Sequence, residues 1–149
     1  MVRGFEAVEK EFRKNVDVIM PLRKTVKSAG YDFICPYDIT VHARSNRLIW
    51  TDVKAYMQED EVLKIYIRSS LAIKWGITLV NSTGIIDSDY FSNPSNDGNI
   101  GICLENKTLH SYLILKGEGI AQGVFQKYLI ADNCNSDEER TGGIGSTNG

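Results

Sequence analysis

Short β-rich runs separated by turn clusters make up most of this chain, and that alternation constrains the fold more than any other feature. Between Val62 and Arg68, the side chains of Leu63, Ile65 and Ile67 fall on one face, which is the period of a half-buried strand. Further β-rich runs lie at 77–80, 100–104, 112–115 and 124–128, and turn clusters lie at 45–46, 58–61, 92–99, 105–107 and 116–119. Many short strands at this spacing predict an all-β barrel or sandwich, not βαβ units.

Three segments depart from the β pattern. Residues 69–75 predict one short internal helix. Phe5, Val8 and Phe12 recur at helical spacing among charged residues, which predicts a short amphipathic helix near the N-terminus. Residues 131–149 lack apolar periodicity and predict a flexible C-terminal arm. The expected organisation is an N-terminal extension over 1–20, a β-barrel domain over 21–130 and an arm over 131–149.

Composition limits the class of protein. A chain of 149 residues with 42% hydrophobic and 24% charged residues is typical of one soluble domain. No apolar run is long enough to cross a membrane, and the N-terminus is too charged for a signal peptide, so we expect a cytoplasmic protein without membrane contact. A net charge of −2 argues against nucleic acid as a partner, and a polyanionic substrate would need locally placed positive charge.

Cysteine usage argues against a structural metal or a disulfide framework. Cys35, Cys103 and Cys134 are widely spaced, form no CxxC pair and have only two histidines to accompany them. We therefore expect reduced thiols and no zinc site.

Residues 68–70, Arg-Ser-Ser, precede the predicted internal helix. One hydroxyl, that of Ser69 or Ser70, is expected to cap this helix, and Arg68 can bind phosphate oxygens in a bidentate manner. The segment is therefore a candidate oxyanion site. A capped helix beside a surface arginine is the alternative that these residues alone leave open.

The hairpin over 81–90 carries a candidate catalytic carboxylate. Asn81 and Gly84 bracket its turn, and Asp87 follows two isoleucines, so its carboxylate is expected at the edge of an apolar surface. Taken alone, Asp87 could also belong to an ordinary acidic turn, and Tyr90 could be a core aromatic. We interpret Asp89 as a solvated turn residue.

Five short segments in order resemble the motifs of the trimeric deoxyuridine triphosphatase (dUTPase) family. They read SAGYDF at 28–33, RSSLAIK at 68–74, NSTGIIDSDY at 81–90, KGEGIAQGVF at 116–125 and RTGGIGSTNG at 140–149. The match extends over about residues 22–149. A single glycine-rich tail would be weak evidence, but five ordered motifs are specific.

The resemblance implies a distorted jelly-roll, β-barrel-like fold and a homotrimer whose sites are shared between subunits. It implies hydrolysis of dUTP to dUMP and pyrophosphate, with Mg²⁺ held chiefly by the triphosphate and not directly by the protein. In the family, one chain supplies the uracil hairpin, a second supplies motifs one, two and four, and a third lends its tail.

The resemblance also implies a role for each site residue. Asp87 would activate the attacking water, and Asp32 would support the geometry of the site, although a purely structural Asp32 stays open. Tyr90 would pack under the deoxyribose and exclude a 2′-hydroxyl. The remaining uracil and sugar contacts would come from Asn81, Gly84, Ile85 and Ile86. The phosphate contacts would come from Arg68, Ser69, Ser70, Gln122, Arg140, Gly143, Ser146 and Thr147.

Three departures from the family pattern stand out. Gly119 replaces a usual arginine, for which Lys116 is a candidate substitute. Ile144 replaces the usual phenylalanine that stacks on uracil, and Phe91 is the leading candidate to cover the base instead. Residues 91–99 are inserted after Tyr90 and are expected to form a longer loop near the pocket.

Two other functions stay open at this point. The related dCTP deaminases share the fold and a similar Arg-Ser-Ser segment, but they should lack the NSTGIIDSDY hairpin. A dUTP-sensing regulatory binder with a protein partner is the second alternative, and the N-terminal extension and the 91–99 insertion would be its surfaces.

Overall fold

The structure, a computed structural model, describes residues 1–134 and 137–145, and within these ranges the chain forms eleven β-strands and one α-helix. In chain order the strands are β1 (Gly4–Ala7), β2 (Tyr31–Ile34), β3 (Ile39–Val41), β4 (Ser45–Trp50), β5 (Val53–Tyr56), β6 (Glu61–Ile67), β7 (Ile77–Leu79), β8 (Gly84–Asp87), β9 (Gly101–Asn106), β10 (Tyr112–Ile114) and β11 (Gly119–Lys127). The helix α1 spans Ser69–Trp75, between β6 and β7. The all-β prediction with one internal helix is confirmed.

Antiparallel pairing organises the strands into two larger sheets and two strand pairs. The larger sheets have the orders β2-β11-β6-β8 and β4-β9-β7, and the pairs are β1-β5 and β10-β3. Apolar side chains from both larger sheets and from β3 and β10 form one core. Its largest fully buried members include Phe33, Ile39, Ile49, Leu63, Ile77, Leu104, Ile114 and Ile120.

The pattern of β6 explains its central place. Leu63 and Ile65 are buried in the core, and Ile67 packs against it, as their alternation predicts. The strand is hydrogen-bonded to β11 on one side and to β8 on the other. The predicted strands near 77, 100, 112 and 124 are also present. The turn predicted at 45–46 is wrong, and so is most of the turn predicted at 105–107, because Ser45 and Asn46 begin β4 and pair with residues 105–106 at the end of β9.

Helix α1 occupies the predicted residues, but its start differs from the prediction. Arg68 is the N-cap residue, and its extended backbone leaves Ser69 and Ser70 inside the first turn, with no side-chain cap in the described structure. The expectation that Ser69 or Ser70 caps the helix is therefore wrong. Gly76 ends the helix in the left-handed conformation, with φ 66°, a position that glycine adopts without the steric cost of a side chain.

The predicted N-terminal helix is wrong. Residues 4–7 form a strand paired with β5, and only Lys10–Phe12 make a single 3₁₀ turn. Phe5 packs edge-on against Tyr31 and Phe33 and also contacts Phe125. Contacts with β2 and β11 thus outweigh a weak helical period, because a short isolated helix is only marginally stable in water.

The inserted residues 91–99 form a loop anchored to the body of the protein. Asp97 accepts hydrogen bonds from Lys54 Nζ at 2.9 Å and from the Glu9 amide at 2.7 Å. Asn99 donates to the fully buried carboxylate of Asp52 at 2.8 Å. The loop and the N-terminal segment are therefore held by the same buried polar groups. In the described part of the chain, no helix has the length and hydropathy of a membrane span.

Candidate active site

A cavity of about 580 Å³ lies beside the β8 hairpin, and most of its wall is apolar. Its lining includes every residue predicted to contact uracil or deoxyribose, together with Asp87, the candidate general base. These residues are Asn81, Gly84, Ile85, Ile86, Asp87 and Tyr90. Leu48, Leu79, Ile102 and Cys103 also line the wall, and none of them was predicted from the sequence as a site residue. An apolar pocket with a few convergent polar groups is typical of a small-molecule site.

The hairpin turn obtains its shape from Ser82 and its packing from Gly84. Ser82 adopts a positive φ of 62°, whereas Gly84 does not need one. A Cβ on Gly84 would lie 3.0 Å from the Cβ of Ile65, so the glycine lets β8 approach β6 closely. Because Ile65 also lines the cavity, this close approach places the start of β8 against part of the cavity wall.

Asp87 ends β8, and its side chain is about half exposed (52%). Tyr90 follows in a 3₁₀ turn and is buried. The Tyr90 hydroxyl donates to the Asn99 carbonyl at 2.6 Å and accepts from Asn96 Nδ2 at 2.8 Å. Burial raises the pKa of Tyr90 above its usual range, against the opposing effects of the Asn96 hydrogen bond and the charge of Arg140. Tyr90 is therefore neutral near pH 7.

The described part of the C-terminal arm lies against this cavity. Arg140 donates from Nη2 to Asp87 at 2.6 Å and from Nε to Asp89 at 2.8 Å, and its guanidinium lies 5.5 Å from the centre of the Tyr90 ring. Asp89 is therefore an ion-pair partner of the arm and not only a solvated turn residue. All of these contacts join the arm to the hairpin of the same chain. Gly143 and Ile144 line the cavity, whereas the predicted residues Ser146 and Thr147 lie outside the described residues.

Phe91 does not cover the apolar cavity in this chain. Its ring lies 6.1 Å from that of Tyr56 and 4.8 Å from Lys54 Nζ, and it is absent from the lining. The hypothesis that Phe91 replaces the usual aromatic is therefore not supported. Ile144 itself lines the cavity at the position where the family pattern expects phenylalanine.

A second, polar cavity of about 410 Å³ brings together residues from motifs one, two and four. Asp32 is buried there, with Arg68 Nε at 3.5 Å and Lys24 Nζ at 3.6 Å from its two oxygens. Two cations around one carboxylate leave a net positive charge, which suits a polyanion. Ser69 and Gln122 also line this cavity, whereas Ser70 is exposed on α1 and does not. Lys24 was not singled out from the sequence.

Two glycines make room for the polar side chains of this cavity. A Cβ on Gly30 would lie 2.6 Å from Oε1 of Gln122, and a Cβ on Gly119 would lie 2.5 Å from Nη1 of Arg68. The departure at Gly119 thus leaves the space that the guanidinium of Arg68 occupies. Lys116 does not substitute for the missing arginine, because it contacts Asp17 at 3.3 Å and does not line the polar cavity.

The two cavities of one chain are separate. They have no lining residue in common, and their aspartates lie on opposite edge strands of the sheet β2-β11-β6-β8. Asp32 pairs through Gln122 with Tyr66 of β6, whereas Asp87 pairs with Val62, four residues earlier on that strand. The two aspartates are offset by three strand spacings of about 4.8 Å across the sheet and by four residues of about 3.4 Å along it. Together these offsets separate Asp32 from Asp87 by on the order of 20 Å.

Metal-ligand chemistry is sparse in the part of the chain that the structure describes. There, no three His, Cys, Asp or Glu side chains lie close enough together to hold an ion. Asp32 offers hard oxygen donors in the polar cavity, but both of its oxygens face cations. Such a site suits a cation that carries most of its ligands with it, as Mg²⁺ on a triphosphate does.

Comparison with known proteins gives the same answer as the motifs. The family profile described as dUTPase matches residues 16–148. The chain belongs to the dUTPase family. The deoxyuridine 5'-triphosphate nucleotidohydrolase of Lactococcus lactis is 45% identical over 148 residues, which cover 98% of this chain and 97% of that protein. The enzyme of the same name from Wolinella succinogenes is 32% identical over 136 residues, covering 88% and 87% of the two chains.

Solved structures of dUTPases share the fold. The crystal structure of dUTPase from Streptococcus mutans has a TM-score of 0.78 and 39% identity, covering 87% of this chain and 99% of that one. The dUTPase from phage phi11 of Staphylococcus aureus has a TM-score of 0.72 at 20% identity, which shows likeness of fold alone. Family membership confirms the predicted fold class, the enzyme class and dUTP hydrolysis as the reaction.

Proposed function

We propose that this dUTPase family member hydrolyses dUTP to dUMP and pyrophosphate at sites that each combine the apolar cavity of one subunit with the polar cavity of a neighbour. The separation of Asp87 from Asp32 and Arg68 carries the proposal. A group that acts on a phosphate must lie about 3–3.5 Å from the atom it acts on, so Asp87 and Asp32, on the order of 20 Å apart, cannot both act on one triphosphate within one chain. A homotrimer, the family's usual assembly, would bring the two cavities of adjacent subunits together.

In the apolar cavity, the uracil ring of dUTP would lie against the hairpin. Ile85, Ile86 and Asn81 line this part of the wall, and the polar groups of the hairpin backbone would recognise uracil by hydrogen bonding. The buried Tyr90 would limit the space beside the sugar. Asp87, half exposed at the end of β8, would orient a water molecule and accept its proton as the water attacks the α-phosphorus.

In the polar cavity, the charge of the triphosphate would be neutralised. Arg68 and Lys24 bring two cations to a cavity with one carboxylate, and Ser69 and Gln122 add hydrogen-bonding groups. Mg²⁺ would be held mainly by the phosphate oxygens, with Asp32 accepting hydrogen bonds from its waters. The bound ion would supply Lewis-acid charge neutralisation. Arg140 and Gly143 of the arm, with Ser146 and Thr147, would contact the outer phosphates.

Subunit complementation tests this arrangement. Asp87→Asn and Arg68→Ala chains should each be nearly inactive, since each lacks one half of every site. After unfolding and refolding together, about a quarter of the sites in randomly mixed oligomers would combine an intact Asp87 with an intact Arg68 from its neighbour. Pyrophosphate release should therefore recover to about that fraction of the wild-type rate.

A matched mixture provides the control. Arg68→Ala and Asp32→Asn lie in the same cavity of the same chain, so no combination of these chains restores an intact polar cavity. That mixture should stay inactive. An inactive test mixture, or recovery in the control, would contradict the shared site, and light scattering of the wild type checks the trimer independently.

A further inference from the structure

The loop 91–99 contacts two parts of the candidate site through one side chain, that of Asn96. Its Nδ2 donates to the Tyr90 hydroxyl at 2.8 Å. Its Oδ1 accepts from Asn93 Nδ2 at 2.8 Å and from the Gly98 amide at 3.1 Å. Both polar atoms of the side chain are therefore engaged, and these bonds hold its rotamer.

The loop beneath Asn96 is itself held firmly. The adjacent Asp97 pairs with Lys54, and the two side chains are only 9% and 6% exposed. Burial alone would raise the pKa of Asp97, but hydrogen bonds from the Glu9 amide and from Lys54 outweigh it and lower the pKa. On the other side of Gly98, Asn99 is buried and bonded to Asp52. Asn96 therefore has little freedom to move away from a group that approaches it.

The arm meets Asn96 at Gly143, which is buried. A Cβ at position 143 would lie 2.7 Å from Asn96 Nδ2 and 3.1 Å from its Cγ. Gly143 does not adopt a positive φ, so this position needs a glycine for space and not for backbone conformation.

We propose that Asn96 is a positioning residue that couples arm docking to the orientation of Tyr90. The arm glycine docks on the same amide that holds the Tyr90 hydroxyl, while Arg140 of the arm faces the ring of Tyr90. Correct docking of the arm and the position of the sugar-facing tyrosine therefore depend on one side chain from the inserted loop. The link to catalysis rests on the proposed function, but the contact between Asn96 and Gly143 does not.

A double-mutant cycle tests the contact. Gly143→Ala places a methyl group against a fixed amide and should lower kcat/KM for dUTP by about tenfold. Asn96→Ala removes that amide, so adding Gly143→Ala to it should cause less than about a twofold further loss. Asn96→Asp keeps the size of the side chain and should not relieve the alanine. Independent, multiplicative losses from Asn96→Ala and Gly143→Ala would overturn the proposal.

Gly145→Ala is the matched control within the arm. Gly145 has a φ of 75° and no heavy atom near its added Cβ, so its alanine variant suffers backbone strain and no contact with Asn96. Asn96→Ala should therefore leave the loss caused by Gly145→Ala unchanged. Rescue of both glycine variants alike would show a general loosening of the arm and would contradict a specific contact.

A second measurement does not depend on catalysis. The Arg140 side chain is 7% exposed, so docking should protect the bond after Arg140 from trypsin. Release of peptide 141–149, followed by mass spectrometry, should be several-fold faster in Gly143→Ala than in wild type. In the double variant Asn96→Ala/Gly143→Ala, the rate of release should return to that of Asn96→Ala alone. If the wild type failed to hydrolyse dUTP but the variants showed this cleavage pattern, the proposed function would fail and the contact would stand. A cleavage rate in Gly143→Ala equal to that of the wild type would overturn the contact.

Discussion

Nη2 of Arg140 lies 2.6 Å from Oδ2 of Asp87, so the first residue of the glycine-rich arm motif contacts the candidate catalytic carboxylate directly. Nε of the same guanidinium binds Asp89 at 2.8 Å. Arg140 therefore ties the arm to the hairpin through two carboxylates. A triphosphate that engages Arg140 must compete with both of them, which links substrate binding to the position of the arm.

Asp87→Asn should lower kcat by about 100-fold or more, the range for loss of a general base, while a non-hydrolysable dUTP analogue still binds. Asp89→Asn removes the other partner of Arg140 without removing the base, and it should lower kcat by less than about tenfold. Steady-state kinetics and calorimetric binding measure both. Near-normal turnover in Asp87→Asn would exclude the assigned role.

Tyr90→Ala should reduce the preference for dUTP over UTP, because it removes the ring expected to exclude a 2′-hydroxyl. Tyr90→Phe keeps the ring but leaves Asn96 and the Asn99 carbonyl without their partner. It should keep the preference and lose about 1–3 kcal/mol of unfolding free energy. The ratio of the two kcat/KM values and urea unfolding separate these effects. An unchanged ratio in Tyr90→Ala would place discrimination elsewhere.

A chain ending at Glu139 should keep its melting temperature within a few degrees, because the described arm contributes no strand or helix. Its kcat/KM should fall strongly, since it lacks Arg140 and the arm backbone. Full activity of the truncated protein would contradict a role for the arm.

Ile144→Phe should tighten binding of a dUTP analogue by about 1–3 kcal/mol, the range for stacking an aromatic side chain on a base. Among the described residues, the cavity wall contains no Phe or Trp that would already serve.

Gly119→Ala should raise KM for dUTP by about tenfold with a smaller effect on kcat, because its Cβ would displace the guanidinium of Arg68 from its place beside Asp32. Gly117→Ala is a control on the same turn. Its φ of 93° makes it costly to stability, but it has no atom within 4 Å to displace. A raised KM in Gly117→Ala but not in Gly119→Ala would contradict the steric explanation.

The three thiols should react in order of exposure as the pH is raised. Burial raises the pKa of Cys35 to about 11, so at pH 8 only about one molecule in a thousand carries its thiolate, the reactive form. Cys134 is exposed and should react first with a disulfide reagent. Cys35 should react only as the pH approaches 11 or the protein unfolds. Cys35 labelling at pH 8 in folded protein, followed by peptide mapping, would contradict this order.

Local sequence patterns predicted the elements that carry strong short-range signals. The alternation through β6 and the helical segment after Arg68 appear where expected, because each side of such an element has one consistent environment. The helix predicted for the N-terminal segment is wrong. The spacing of Phe5, Val8 and Phe12 suits a helix, but pairing with β5 and the aromatic contacts of Phe5 favour a strand. Long-range contacts decide such weak cases.

The sequence by itself determined the family and the reaction and predicted the residues of the candidate site, because five ordered motifs specify chemistry that composition cannot. Only the tertiary structure decided how those residues are distributed. It separated Asp87 from Asp32 across two intervening strands, and it gave Lys24, Asp89 and Asn96 partners that their positions along the chain do not reveal. The physical reason is that strand pairing and packing bring distant residues together, and a local pattern records only which way each side chain faces.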